Sequence, residues 1–193
     1  MLTSAAWRYI SEKDDRTFLV YTDGACKANG RQDQEPRGGC GIRPVTTPSW
    51  GQLSFKLEAQ GPDGRFYIPT SNRAELRAVD LALDIRPWSR EGFEKMVIAT
   101  DSQHVVLGAT VWCKNWLVNG WLNSHGAAVA NQDLWTALLT KIAKLRNEGV
   151  SVYFWYIPRE FNTAADRLAR EGADMEDNQG HTHTASVGFG GYW

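Results

Sequence analysis

The sequence has few cysteines, no long apolar runs and almost no net charge. Its three cysteines, Cys26, Cys40 and Cys113, are widely spaced and form no CxxC pair, which argues against a disulfide framework or a cysteine-based zinc site. No apolar run approaches membrane-spanning length and no signal-peptide pattern opens the chain, so we expect an intracellular protein without a membrane partner. A net charge of −1 excludes a protein that holds a polyanion by overall charge alone.

The chain has the composition of a single globular domain. Of its 193 residues, 42% are hydrophobic and 22% charged, which is enough apolar material for a substantial core. Residues 1–16 have a mixed, largely polar composition and are expected to form an N-terminal leader. Through residues 17–173, apolar residues recur at regular intervals. Residues 174–193 are rich in Gly, His, Thr and Asn, and we expect a mobile tail there. We expect a monomer.

Apolar periodicity predicts an α/β fold. Three strand patterns precede the first helix pattern, after which helices and strands alternate. This order indicates a mixed sheet of five strands, an antiparallel meander followed by parallel strands, with helices packed on it. The predicted strands are 17–21, 39–43, 52–59, 96–99 and 150–157, and the predicted helices are 71–85, 102–119 (with a break near Thr110), 132–147 and 163–171.

Four acidic residues stand at the ends of these predicted elements. Asp23 and Asp101 directly follow two strands, and Glu75 and Asp166 lie in the first turns of two helices. Converging carboxylates are the ligands that Mg²⁺ prefers, and two such ions can catalyse an in-line displacement at phosphorus. Each residue also has a purely structural explanation, because acids commonly cap helices and are favoured by the helix dipole.

Four segments together resemble the motifs of type 1 ribonucleases H, within the RNase H-like superfamily. They occur in that family's order, and the surrounding similarity covers about residues 17–173, which we therefore expect to be the catalytic domain. The segments are YTDGACKANG at 21–30, TSNRAEL at 70–76, TDSQ at 100–103 and NTAADRLA at 162–169.

The resemblance implies an RNase H-like fold with helices on both faces of the sheet, and an endonuclease that hydrolyses the RNA strand of an RNA–DNA hybrid. Asp23, Glu75, Asp101 and Asp166 would be the catalytic carboxylates that hold two Mg²⁺ ions, with Mn²⁺ as a possible substitute. The products would carry 5′-phosphate and 3′-hydroxyl ends. The residues that match the family's substrate contacts are Cys26, Asn29, Thr70, Ser71, Asn72, Gln103, Trp112, Trp116 and Asn131.

Some of these contact residues have structural alternatives. Cys26 could be a small buried hydrophobic residue. Trp112 and Trp116 are four residues apart, which is also the spacing of two core aromatics that face one way. Asn29 could simply hold a turn.

The chain departs from the family pattern in three places. Many members carry a histidine in the loop before the last carboxylate, whereas this chain has Arg159 and Glu160 there, either of which could replace it. Ser71 stands where Asn is common. The segment 105–135, a basic protrusion in well-known members, has Lys114 as its only Lys or Arg. We therefore expect weak hybrid binding.

Two other functions are compatible with the pattern. A 3′–5′ exonuclease of the same fold typically has an Asp-x-Glu first motif, but here Gly24 and Ala25 follow Asp23. A hybrid-binding module with weak or lost catalysis would fit the missing histidine and the cation-poor protrusion, although the four acids argue against it.

Overall fold

A computed structural model describes residues 8–31, 33–44 and 52–176. These residues form six strands and five α-helices around one sheet. The strands are β1 (Tyr9–Ser11), β2 (Asp14–Lys27), β3 (Arg37–Arg43), β4 (Leu53–Lys56), β5 (Lys95–Thr100) and β6 (Ser151–Tyr156). The helices are α1 (Ser71–Asp84), α2 (Gln103–Leu107), α3 (Cys113–Asn119), α4 (Gln132–Asn147) and α5 (Thr163–Asp174).

The sheet has the strand order β4-β3-β2-β5-β6, and β1 pairs with β2 beside this path. Strands β1 to β4 pair antiparallel, whereas β2, β5 and β6 run parallel. The predicted mixed sheet, with a meander followed by parallel strands, is therefore confirmed. The extra strand is β1, a three-residue segment in the predicted leader that is too short to show a period of two.

Strand β2 is longer than predicted and changes the placement of Asp23. We expected a strand that ends at Tyr21, but β2 continues to Lys27 because Tyr21 to Lys27 pair with Arg43 to Arg37 of β3. Asp23 therefore lies inside the strand, and the prediction that it directly follows the strand was wrong. Asp101, by contrast, does follow directly after β5, which ends at Thr100.

The predicted break near Thr110 is a turn of π-helix at Gly108–Trp112 that joins α2 to α3. Such turns usually mark a local constraint. Here a Cβ on Gly108 would lie 2.1 Å from the Trp135 ring, so α4 packs directly against the backbone of this turn. The Thr110 hydroxyl also donates a hydrogen bond to the Val106 carbonyl at 2.6 Å.

Helices α1 and α5 pack on opposite faces of the sheet, and glycines permit the close approach. A Cβ on Gly24 of β2 would lie 2.0 Å from the backbone nitrogen of Glu75 in α1. On the other face, a Cβ on Gly41 of β3 would lie 2.2 Å from the Ala165 carbonyl oxygen in α5. The prediction of helices on both faces is confirmed, and two acid-bearing helices are held against the central strands.

The main core lies on the α1 side of the sheet. Phe18, Val20, Ile42 and Ile98 of the sheet are buried there with residues of α1 and α4, including Leu76 and Trp135. Within the part of the chain that the structure describes, no helix combines the length and apolar character needed to cross a membrane.

Candidate active site

The four predicted carboxylates converge at one edge of the sheet. Strands β2 and β5 are parallel neighbours with Tyr21 opposite Ala99, so Asp23 and Asp101, each two residues further on, reach the same level. Glu75 approaches through the contact of α1 with Gly24, but the prediction that it lies in the first turn was wrong, because α1 begins at Ser71 and Glu75 falls in its second turn. Asp166 lies in the first turn of α5, on the opposite face. Asp23 interacts electrostatically with Asp101, Asp166 and Glu75, so the fold brings the four acids together.

Burial and mutual repulsion shape the protonation of this cluster. Asp23 is only 5% exposed. Its pKa is raised to about 8, first by burial and then by the negative charges of Asp101, Asp166 and Glu75, although the Gly24 N–H opposes the rise. Burial also raises the pKa of Glu75, against the effect of a hydrogen bond from Ser102. A cation at this edge would favour the ionised forms of these acids.

Two neighbouring side chains orient the acids. The Ser102 hydroxyl donates a hydrogen bond to Glu75 Oε2. The Asn162 amide donates to Asp101 Oδ1 at 2.7 Å and to the Thr22 carbonyl at 3.0 Å, and its side chain is 1% exposed. Asn162 thus joins the start of α5 to β2 and to Asp101. These contacts could not be predicted from the sequence, which shows only that polar residues stand next to the helix starts.

Asp166 is held by two arginines. Arg159, on a 3₁₀ turn over Arg159–Phe161, donates from Nη2 to Asp166 Oδ1 at 2.8 Å. Arg170, one turn further along α5, lies with Nε 2.9 Å from Asp166 Oδ2. Of the two candidates to replace the loop histidine, Arg159 contacts a carboxylate, and Glu160 is exposed on the same turn.

The carboxylates suit hard divalent cations in chemistry and charge. As their side chains are oriented, however, no three His, Cys, Asp or Glu residues in the described part of the chain are close enough to hold a metal ion. Asp166 accepts a hydrogen bond from Arg159, Glu75 from Ser102 and Asp101 from Asn162. By residue type and charge, the donor set fits Mg²⁺.

Five of the predicted substrate contacts surround this edge. Cys26 is half-buried near the end of β2, and Gln103 is exposed at the start of α2. Ser71 begins α1, with the exposed Asn72 beside it, and the Asn29 amide donates a hydrogen bond to the Ser71 hydroxyl at 3.3 Å. The loop after β2 and the first turn of α1 thus form one polar rim next to Asp23 and Glu75.

Thr70 and Asn131 belong to a second polar group, organised by Arg73. Thr70 caps α1 by accepting a hydrogen bond from the Arg73 N–H at 3.2 Å. The Arg73 guanidinium forms two hydrogen bonds with Asp133, at 2.9 and 2.6 Å, and donates to Asn131 Oδ1 at 3.3 Å. The Arg73 carbon Cζ also lies 3.9 Å from the centre of the Tyr67 ring. Arg73, Asp133 and Tyr67 are not among the site residues predicted from the sequence.

Trp112 and Trp116, the two tryptophans among the predicted substrate contacts, are part of an aromatic cluster. Trp116 is 7% exposed, and its ring centre lies 5.2 Å from that of Trp135 and 6.0 Å from that of Trp112. Trp112 is half-buried and also contacts His104. Trp116 therefore has a core role in the structure, whereas Trp112 retains accessible surface.

Lys and Arg side chains in the segment from 105 to 135 would strengthen binding to a polyanion. The segment exposes apolar side chains instead. Val118 is 84% exposed and Leu117 60% exposed on α3. Lys114 is exposed on the same helix. The expectation of little electrostatic reinforcement from this part of the chain stays a prediction.

Comparisons with known proteins identify the family of this chain. A model of the RNase H family matches residues 15–174. Human ribonuclease H1 is 32% identical over 167 residues, which span 83% of this chain and 51% of that protein. Ribonuclease HI of Rickettsia prowazekii is 32% identical over 164 residues, 83% of this chain and 93% of that protein.

Solved structures share the fold. LC9-RNase H1, described as a type 1 RNase H with the type 2 active-site motif, superposes with a TM-score of 0.57 at 23% identity. The superposition covers 89% of this chain and 74% of that one. This chain thus spans about half the length of its human relative and most of the length of its rickettsial one. With a family match across most of its length and two relatives at 32% identity, the chain belongs to the ribonuclease H family.

Proposed function

We propose that this chain is an endoribonuclease that hydrolyses the RNA strand of RNA–DNA hybrids and leaves 5′-phosphate and 3′-hydroxyl ends. The convergence of Asp23, Glu75, Asp101 and Asp166 from both faces of the sheet is the observation that carries this proposal. The names of the ribonuclease H relatives support the substrate class. A foamy viral protease–reverse transcriptase of similar fold, whose structure was solved in complex with an RNA/DNA hybrid, supports it as well.

The four carboxylates would hold two Mg²⁺ ions, or Mn²⁺ in their place. Bound there, the ions would supply an activated water and stabilise the leaving oxygen at the scissile phosphate. Asp23 would be the central ligand because it is the most deeply buried of the four and interacts with both Asp101, just after β5, and Asp166 on α5. Asn162 and Ser102 would hold Asp101 and Glu75 in orientations from which a ligand bond can form.

The polar rim would position the hybrid over these acids. Cys26, Asn29, Ser71, Asn72 and Gln103 offer short polar groups suited to the minor groove and the RNA 2′-hydroxyl. Thr70 and Asn131 would bind a phosphate of the DNA strand. The Asn131 oxygen accepts from Arg73, so the amide nitrogen is available to donate. Trp112 would contact the DNA strand, with Trp116 packed beneath it.

A cleavage assay with strand-specific labels tests the proposal. An RNA–DNA hybrid, an RNA duplex and a single-stranded RNA are incubated with Mg²⁺, and we expect cleavage of the hybrid RNA alone. Asp23→Asn should abolish cleavage while the protein stays folded. An absence of hybrid cleavage at high protein concentration would contradict the proposal, and full activity of Asp23→Asn would contradict the ligand assignment.

A hybrid-binding module without catalysis is the second candidate, favoured by the two arginines that hold Asp166. It predicts that wild-type protein binds the hybrid in Mg²⁺ but leaves it intact. The same assay, read together with a binding measurement, separates the two functions.

A further inference from the structure

Arg159 is placed to interact with all four carboxylates. Its guanidinium donates to Asp166 at 2.8 Å and lies within electrostatic reach of Asp101, Asp23 and Glu75. Arg170 also pairs with Asp166, but it does so as an i,i+4 neighbour on α5. Arg159 thus supplies positive charge to a cluster whose members otherwise repel one another.

Apart from its contact with Asp166, the Arg159 side chain lies largely in solvent. It is 70% exposed, whereas Asp166 is 17% exposed. An ion pair with so exposed a partner contributes little net free energy, so the guanidinium can leave Asp166 for water at small cost. The 3₁₀ turn that carries Arg159 begins after Pro158, which restricts the backbone and leaves most of the movement to the side chain.

The hydrogen bond from Arg159 occupies an oxygen that a metal ion would need. A carboxylate lone pair that accepts from a guanidinium is not available to a divalent cation at the same time, and Asp166 Oδ1 accepts from both Arg159 and Arg170.

We propose that Arg159 is a displaceable counter-ion of the carboxylate cluster, which neutralises the acids until a divalent cation takes its place at Asp166. This inference rests on the proposed function in that it takes Asp166 as a metal ligand. Arg159 is accordingly a positioning residue whose effect is on metal affinity in the absence of nucleic acid.

Metal titrations without substrate test this role. Mg²⁺ and Mn²⁺ binding is measured by calorimetry for wild type, Arg159→Gln, Arg159→Lys and the control Arg167→Gln, whose arginine pairs with Glu171 on the outer side of α5. We expect Arg159→Gln to bind the cations about three- to tenfold more tightly than wild type, because its competitor is gone. Arg159→Lys, which keeps the charge, should stay near wild type, as should the control.

Thermal unfolding in EDTA gives a second readout. Arg159→Gln should melt close to the wild-type temperature without metal, because the exposed pair contributes little, and should gain more from added Mg²⁺. Unchanged or weaker metal binding by Arg159→Gln would overturn the proposal. In an Asp166→Asn background, Arg159→Gln should no longer change the affinity, and an undiminished effect there would overturn the assignment to Asp166.

These measurements are separable from the test of catalysis. If wild type cleaves the hybrid but Arg159→Gln binds metal no more tightly, the counter-ion role fails and the proposed function stands. If the affinity changes are as expected but no hybrid is cleaved, the counter-ion role is supported and the proposed function fails.

Discussion

At the scale of single residues, the burial of Asp23 has a consequence for stability. Its pKa of about 8 in the folded chain lies above the value of about 3.9 expected in an unfolded one. The folded state therefore binds this proton more tightly than the unfolded state, and Asp23 destabilises the metal-free protein progressively as the pH rises from roughly 4 to 8. Bound cations would relieve this penalty by favouring the ionised carboxylate.

We predict that Asp23→Asn stabilises the metal-free protein at pH 8 to 9 by at least about 1 kcal/mol, while the two proteins differ little near pH 4. Urea unfolding in EDTA at several pH values measures this. Glu35→Gln, at an exposed carboxylate, is the control and should leave the pH profile unchanged. If wild type and Asp23→Asn showed the same pH dependence, the burial argument would be wrong.

Asn162 is a second residue whose removal should be costly. Asn162→Ala leaves the Thr22 carbonyl and one oxygen of Asp101 without their buried donor, so we expect a loss of about 1–3 kcal/mol in unfolding free energy. Hybrid cleavage should fall as well, because Asp101 is no longer oriented. Chemical denaturation and a single-turnover assay measure the two effects, and Asn147→Ala at the exposed end of α4 is the control. Normal cleavage by Asn162→Ala would show that Asp101 needs no such support.

At the scale of elements, the position of α5 decides where Asp166 lies. The helix packs against β3 through Gly41, where an added Cβ would meet the Ala165 carbonyl oxygen at 2.2 Å. Gly41→Ala should therefore push the helix away and cost about 1–3 kcal/mol of stability. We expect a larger loss of cleavage activity than of folded protein, as measured by activity per folded molecule at a temperature below the transition. Retention of full activity would mean that the helix repacks without moving Asp166.

The link between α1 and α4 depends on the pairing of Arg73 with Asp133, whose side chains are 2% and 1% exposed. Removing one member leaves the other charge buried and unpaired, so Arg73→Met should cost about 3–5 kcal/mol. The double variant Arg73→Met, Asp133→Leu should recover part of that stability. Double-mutant analysis of thermal unfolding measures the coupling, and additive effects of the two changes would contradict it.

Most of these helices and strands could be predicted because their patterns of apolar residues are long and regular. The helix predicted at 132–147 has the bounds of α4, and the strand predicted at 96–99 lies within β5. Strand β1 could not be predicted from three residues, and the extension of β2 past Asp23 depends on pairing with β3. The contact of Asn162 with Thr22 joins residues 140 positions apart, a distance over which periodicity carries no information.

At the scale of the whole molecule, the four acids could be identified from the sequence, but the hydrogen bonds that they form could not. Motif order predicted that Asp23, Glu75, Asp101 and Asp166 act together, and in the structure Asp23 interacts electrostatically with the other three. The sequence did not predict that Asp166 would be held by Arg159 and Arg170, since that depends on where a short turn after β6 points its side chain. Local spacing predicts which groups meet, whereas side-chain packing determines which hydrogen bonds they form.

The distribution of charge over the molecule predicts how it binds a polyanion. With a net charge of −1 and exposed apolar residues on α3, few phosphates can be neutralised, so the affinity for hybrid should depend only weakly on salt.

We predict that Val118→Lys with Leu117→Lys tightens binding and steepens the dependence of log affinity on log salt by about 0.9 for each phosphate newly contacted. Anisotropy titrations of a labelled hybrid, in the Asp23→Asn background to prevent cleavage, measure the slope. Val118→Gln with Leu117→Gln removes the same apolar surface without adding charge. If the glutamine pair tightened binding as much as the lysine pair, or if the lysine pair left the slope unchanged, this face of α3 would not approach the nucleic acid.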